Sequence, residues 1–294
     1  MRNTPQDGHE HNKQNDRFPR IVKFNSADIG NDDTGVPPLD GQSMSLAPRR
    51  GPIETVVFTF AMPQEAQRWV HALNLTPYES PRNPGMNEQY KSKIGAVNVV
   101  VSINQFNLKH GVAGVGTNNS VLNAFCAINE FKPSLLVNAG TAGGFGDSGG
   151  VIGDIYLTKG AVMYHDRHIK LGNYEEYGNG GHSCLSLRRL PKILSAKTGV
   201  FSTGNSLNYK SSDMRRIIDS DALVKDMEAA AFAEIAEQFN VPFIGIKSIS
   251  DLVDGNKPTP DQFQDNFGLA TRNLHGALTK FVRFLANGRR LEDL

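Results

Sequence analysis

Three carboxylates in this chain stand where an α/β protein presents groups to a ligand, and acid–base chemistry is what paired carboxylates at such places do. Glu228 lies in Lys225-Asp226-Met227-Glu228-Ala229-Ala230-Ala231. The apolar residues after it (Ala229, Phe232, Ala233, Ala236, Phe239) recur at helical spacing, which puts Glu228 in the first turn of an amphipathic helix. Exposed N–H groups and the helix dipole would keep an acid there ionised. Asn240 and Pro242 close that helix, and Val241 to Ile246 reads as a short buried strand of the parallel kind, with Asp251 at its carboxyl end. In open α/β sheets that end is where ligands bind. Glu65 follows another strand, Thr55 to Ala61, and Pro63 suits the first helical position, so Glu65 also falls in a first turn. Each acid has a plain structural alternative: a capping or dipole-compensating Glu at 65 and 228, a turn-forming Asp at 251.

The rest of the chain supplies a scaffold of alternating strands and helices. Val97 to Ile103 is a strand, followed by the glycine-rich turn Gly111 to Thr117. Its glycines fit neither the dinucleotide fingerprint nor a P-loop. A helix carrying Val121, Leu122, Phe125 and Ile128 ends near Phe131, stopped by Pro133. The strand Ser134 to Asn138 runs into Ala139 to Phe145, whose small residues allow close approach of a ligand to the backbone. Ile152 to Leu157 is a further strand. In His165-Asp166-Arg167-His168 no supporting Cys or acid cluster stands at metal spacing, so these histidines are read as hydrogen-bonding loop residues and no metal is expected. Gly172 to His182 reads as a polar loop, a lid or a subunit contact. Thr198 to Leu207 is a strand turning out at Gly204, and a basic, polar helix covers Met214 to Ile218. The last helix carries Phe263, Phe267, Leu274, Leu278, Phe281 and Leu285. Alternation from residue 53 to 288 implies a single α/β domain, with helices layered on a central sheet.

The 294 residues, 39% hydrophobic, suffice for a substantial core. A net charge of +1 implies no polyanion-binding surface. The two cysteines, Cys126 and Cys184, form no framework and fit a reducing cytosol. No apolar run approaches the about 18 residues of a membrane span. Residues 1–52 are rich in Asn, Asp, Gln, Arg, Pro and Gly and read as a disordered leader, or one loosely attached through an arm at 19–24. The catalytic domain is then 53–294.

Five motifs together resemble one family. They are Ala61-Met62-Pro63-Gln64-Glu65, Asn138-Ala139-Gly140-Thr141-Ala142-Gly143-Gly144, Ser202-Thr203-Gly204-Asn205-Ser206-Leu207, Asp226-Met227-Glu228-Ala229-Ala230-Ala231 and Ser250-Asp251-Leu252-Val253-Asp254-Gly255. Their order is that of the nucleoside phosphorylase and nucleosidase superfamily, and the overall likeness is to the plant-type 5′-methylthioadenosine nucleosidases. The resemblance implies a three-layer α/β domain with a central mixed, twisted sheet. It also implies hydrolysis of the bond between adenine and methylthioribose, without cofactor or metal, by a homodimer that binds no nucleic acid or membrane. On that likeness Glu65 deprotonates the water, Glu228 holds the ribose hydroxyls and Asp251 protonates N7 of the purine. Met227 packs under the ribose, Thr141 lines the sugar, the backbone near Leu207 reads the adenine edge, and Phe201 is a candidate wall of the purine pocket. Lys247, four residues before Asp251, is either a tuner of these acids or a strand-end lysine. Hexameric phosphorylases of the family carry a phosphate-gripping Arg where Asn138 stands here, so water is the expected nucleophile; phosphorolysis and non-catalytic nucleoside storage are the alternatives. Asn205 replaces a common Asp, which implies a changed purine-side contact or loop anchor. Ala229 replaces a frequent Gly, a harmless change in a helix.

Overall fold

The computed structural model describes residues 50–294; the polar segment 1–49, with its arm at 19–24, lies outside the described residues. The first half of the chain forms β1 (Thr55–Phe60), α1 (Pro63–Ala72), β2 (Thr76–Tyr78), β3 (Glu88–Ile94), β4 (Val97–Ile103), β5 (Phe106–Asn107), β6 (Val112–Ala113), α2 (Thr117–Phe131) and β7 (Leu135–Gly144). The second half forms β8 (Ile155–Tyr164), α3 (Tyr174–Asn179), β9 (Gly180–Ser183), α4 (Leu190–Leu194), β10 (Lys197–Thr203), α5 (Ser211–Asp219), β11 (Ala222–Asp226), α6 (Ala229–Gln238), β12 (Phe243–Leu252) and α7 (Thr259–Leu285).

Ten strands make one mixed sheet in the order β11-β10-β8-β12-β7-β1-β4-β3-β2, with β9 on β8. The inner strands are continuous apolar runs because both faces are covered. Val56, Phe58, Phe60, Val137 and Ile246 point to α1, α4 and α7. Val57, Leu136, Phe201 and Phe243 point to α2 and α6. This is the expected three-layer domain. Gly51 and Ile53 are tied by backbone hydrogen bonds to Leu291 and Arg289, so the described chain starts on its own C-terminal segment.

Several elements differ from the sequence reading, each for a physical reason. β7 does not turn at Asn138 but continues to Gly144, because residues 139–144 pair with β12 and the last two, Gly143 and Gly144, pair with β11 as well. Small side chains permit this double pairing: a Cβ on Gly143 would lie 2.8 Å from Asp251 Oδ2 and one on Gly140 would lie 3.1 Å from Glu65 Oε1. β12 likewise runs on to Leu252, which puts Lys247 in mid-strand. The Gly172–His182 stretch contains α3 and the sheet strand β9 rather than an open loop. β2, β3 and β11 have no counterpart in the sequence reading. β3 is an antiparallel strand with alternating exposure, and its charged residues hid the period-two signal.

The antiparallel pairing of β11 with the last residues of β7 (Val224 with Gly144, Lys225 with Gly143) curls one half of the sheet back on itself. That closure brings the end of β11, and Glu228 just beyond it, to the strand ends where β1 and β12 also deliver their acids.

Candidate active site

Glu65 is the third residue of α1 and is buried. Two contacts fix the helix that carries it. Trp69 packs edge-on against Phe58 (5.0 Å, 76°) and donates from Nε1 to Thr279 Oγ1 (3.1 Å), while His275 Nε2 donates to the Glu65 carbonyl (2.7 Å). The carboxylate leaves the helix and crosses to β7, where Oε1 accepts from Thr141 N (2.7 Å) and Thr141 Oγ1 (2.8 Å). Burial raises its pKa; the Lys247 charge and the Thr141 donors oppose this. A carboxylate so placed is a base poised above the ordinary range.

Glu228 is the N-cap of α6, one residue outside the helix, with φ −136° and ψ −35°. It makes no capping bond. Asp226 Oδ2 takes the Ala229 N–H (2.9 Å) and Thr203 Oγ1 the Ala230 N–H (2.9 Å), and Thr203 in turn donates to Asp226 Oδ1 (2.5 Å). Capping is thus done by Asp226 and Thr203, and the Glu228 carboxylate is left for other work. Its Oε1 accepts from Gly116 N (3.1 Å), and its Oε2 lies 3.6 Å from Lys247 Nζ. The expectation that the helix start keeps it ionised needs correction. Burial dominates, Asp226 and Glu65 add to it, and Lys247 and the Gly116 N–H oppose it; the pKa rises to about 7.

Lys247 is fully buried, with Nζ 3.0 Å from Asp226 Oδ2. Burial lowers its pKa, but Asp226, Glu228 and Glu65 outweigh burial and raise it. It is therefore the shared counter-ion of an acidic cluster, which decides between the two readings of this residue. It is not a partner of Asp251. A register shift between Ile249 and Asp251 inserts one residue, so Lys247 pairs with Gly140 but Asp251 with Gly143, and the two side chains part company.

Asp251 is buried at the end of β12 and accepts from Ser250 Oγ (2.8 Å). Burial raises its pKa, while the Ser250 hydroxyl and the Lys225 charge oppose this. Lys225 donates from Nζ to the carbonyls of Ser206 and Leu207 (2.9 Å each). One lysine therefore links the acid to the segment following Gly204.

The remaining candidates divide. Met227, half-buried, sits between Asp226 and Glu228, and Thr141 is on Glu65. Leu207 is 40% exposed. Phe201 is elsewhere: it is fully buried in the core between the sheet and α6, so close to Gly245 that a Cβ there would be 3.0 Å from its ring. It cannot wall an open pocket from that position. Asn205 is a loop anchor. Its Oδ1 accepts from Thr117 N and Oγ1 (2.9 Å each), and its backbone N and Nδ2 donate to Asp166 Oδ2 (2.6 and 3.2 Å). A carboxylate at 205 would face that of Asp166, so the amide is matched to its partner. His165 and His168 turn to different partners, Ser202 Oγ (3.0 Å) and Asp213 Oδ1 (2.8 Å). Asn138 is buried in β7 with its Nδ2 3.5 Å from Thr59 Oγ1.

Sequence reasoning missed Asp226, Lys225, Thr203 and Gly116. The signal was present for two of them: Lys225-Asp226 is a charge pair at the end of an otherwise apolar segment, Ala222-Leu223-Val224, and charges in a buried strand need partners. A groove of ≈ 500 Å³ lies at the amino-terminal end of β1 and β4, lined by Thr55, Lys91, Lys93 and Glu130 among others. None of the three acids lines it, and the chemistry stays with the acids.

The model of the phosphorylase superfamily matches residues 55–283. A 5′-methylthioadenosine nucleosidase of Arabidopsis thaliana is 38% identical over 269 residues, covering 90% of this chain and 98% of the relative. A 5′-methylthioadenosine/S-adenosylhomocysteine nucleosidase of the same plant is 38% identical over 247 residues, covering 83% and 96%. The apo structure of an Arabidopsis thaliana 5′-methylthioadenosine nucleosidase has TM-score 0.80 and 36% identity to this chain, covering 83% of it and 100% of the plant chain. With these likenesses spanning nearly all of the described residues, the chain belongs to the phosphorylase superfamily, in its group of 5′-methylthioadenosine nucleosidases.

Proposed function

We propose that the protein hydrolyses the N-glycosidic bond of 5′-methylthioadenosine, giving adenine and 5-methylthioribose, as a step of methionine salvage in the cytoplasm. The observation that carries this reading is the division of labour among the buried acids: Glu65 on Thr141, Glu228 on Lys247 and Gly116, Asp251 on Ser250 and beside Lys225.

Cleavage of the bond leaves an oxocarbenium-like sugar and a purine anion, so it needs an activated water on one side and a proton donor on the other. Glu65 takes a proton from the water. Its Thr141 bonds orient it, and its raised pKa makes it a stronger base than an exposed Glu. Glu228 accepts from the ribose hydroxyls, with Lys247 at its back. Asp251, raised by burial, donates to N7, and the backbone near Leu207 meets the adenine edge. Met227, between Asp226 and Glu228, packs under the ribose.

Phosphate suits the site less well than water. The cation beside Glu65, Lys247, is held by Asp226 and Glu228, and a dianion placed next to Glu65 would be repelled. Adenine release from 5′-methylthioadenosine tests the reading. Full activity in phosphate-free buffer is expected; dependence on phosphate, or no release, would overturn it.

The pH profile follows from Glu228. Only its ionised form accepts from both hydroxyls, so kcat/KM is expected to rise with pH through about 7. Stability runs the other way. A carboxylate whose pKa is raised on folding binds protons more tightly in the folded state. Its contribution is complete below the unfolded value of 4.5 and is lost as pH rises through about 7. An acidic limb at the ordinary 4.5 would contradict this account of Glu228.

The protein acts as a homodimer in this reading. Leu122 and Phe125 on one face of α2, with Phe239 against Phe125 (5.8 Å, 73°), form an exposed apolar patch, of the kind that marks an interface. Sedimentation at micromolar concentration is expected to give twice the chain mass; a monomer would count against it. The free Cys126 and Cys184 accord with the reducing compartment.

A further inference from the structure

The glycine-rich turn before α2 has no role in the chemistry above, yet it supplies the Gly116 N–H to Glu228. Two of its residues must be glycine. Gly116 has φ +90°, and a Cβ on Gly114 would stand 2.3 Å from the Gln105 carbonyl. What holds this turn is a row of buried polar side chains. Gln89 Nε2 donates to Ser102 Oγ (3.3 Å), and Ser102 Oγ donates to Asn123 Oδ1 (2.6 Å). Asn123 Nδ2 donates to Asn104 Oδ1 (2.8 Å). That bond fixes the Asn104 amide with its Nδ2 toward the Gly114 carbonyl (2.8 Å) and Ser120 Oγ (3.4 Å). Ser120 Oγ donates to the Gly116 carbonyl (2.9 Å), and Gly116 N donates to Glu228 Oε1 (3.1 Å).

The row runs from β3 through β4 and α2 to the Gly116 turn, with Asn123 Nδ2 also donating back to the Ser102 carbonyl (3.2 Å). Ser102, Ser120 and Asn123 are wholly buried, and Gln89 and Asn104 nearly so. A core gains little from such a row, because an apolar filling of the same shape is about as stable. Joined in a network, however, these bonds rigidify the turn that carries the Gly116 N–H. We propose that Asn104, Asn123 and Ser120 are positioning residues for the hydrolysis, holding the Gly116 N–H against Glu228 so that this carboxylate meets the ribose hydroxyls in fixed geometry. The proposal rests on the reading that Glu228 holds those hydroxyls.

The test uses the full chain with Asn104→Ala and, as the milder change, Ser120→Ala. Each is assayed on 5′-methylthioadenosine and on its 2′,3′-dideoxy counterpart, which offers Glu228 nothing to hold. Loss of this support is expected to lower kcat/KM on the ribose substrate by about tenfold to a hundredfold, with little loss on the dideoxy one. Equal loss on both, or none on either, would overturn the positioning role. A ¹³C titration of the Glu228 carboxyl is the independent readout: its midpoint is expected to move up in Ser120→Ala, and an unmoved midpoint also overturns the proposal. If the wild type cleaves neither nucleoside while the midpoint moves, the ribose reading fails and the hydrogen-bond support of Glu228 stands.

Discussion

Asp251→Asn is expected to lower kcat by about 10²- to 10⁴-fold, the usual worth of a positioned general acid, while leaving nucleoside affinity nearly unchanged. The substitution keeps the shape of the side chain and its acceptor for Ser250 Oγ, which now bonds Oδ1 at 2.8 Å. It removes the one proton that Asp251 can deliver. Burial, against the pull of Ser250 and Lys225, raises the Asp251 pKa and so favours the protonated form that can donate. Gly143 keeps the space for it, since a Cβ there would press on Oδ2 at 2.8 Å. Steady-state kinetics and calorimetric titration with adenine check the result. Undiminished turnover would remove Asp251 from the mechanism, and loss of affinity in step with turnover would make it a binding residue.

Lys247→Met is expected to destabilise the fold by about 3–5 kcal/mol, the cost of leaving a buried charge cluster without its partner. The methionine fills the space of the lysine stem, so packing contributes little of the loss. The loss comes from Asp226, at 3.0 Å, and Glu228, at 3.6 Å, which keep their burial and lose their cation. Without Lys247 its charge no longer holds down Glu65 and Glu228, and both move further up. Carboxylates raised in the folded state cost stability as pH climbs, so the deficit of the variant is expected to widen from pH 5 to pH 8. Thermal melting across that range checks the sign. A deficit that narrows with rising pH would mean that Lys247 does not act as the counter-ion of these acids.

Much of the fold was legible because its strands are apolar runs bounded by glycine and proline. Val97 to Ile103 appears as read, and α6 follows its apolar spacing from Ala229. The edges were not legible. β3 carries Glu88, Lys91 and Lys93 at exposed positions, where charge is compatible with a strand but does not announce one. β7 and β12 were read too short, since a glycine-rich segment becomes a strand only when neighbours close on both its sides, and neighbours are a tertiary fact. The acids were found because each follows a strand or opens a helix. Their partners were harder. Asp226 has the composition of a turn residue, and only the curl of β11 onto β7 makes it the cap of α6 and the anchor of Lys247. Phe201 shows the opposite error: its strand parity, set by the sheet's two faces, turns the ring into the core.

In the proposed reaction water, not phosphate, attacks the sugar beside Glu65. The direct measurement is turnover of 5′-methylthioadenosine in ¹⁸O-labelled water containing phosphate, with mass analysis of the products. Free adenine together with methylthioribose carrying one ¹⁸O is the predicted result. An unlabelled sugar 1-phosphate would contradict it.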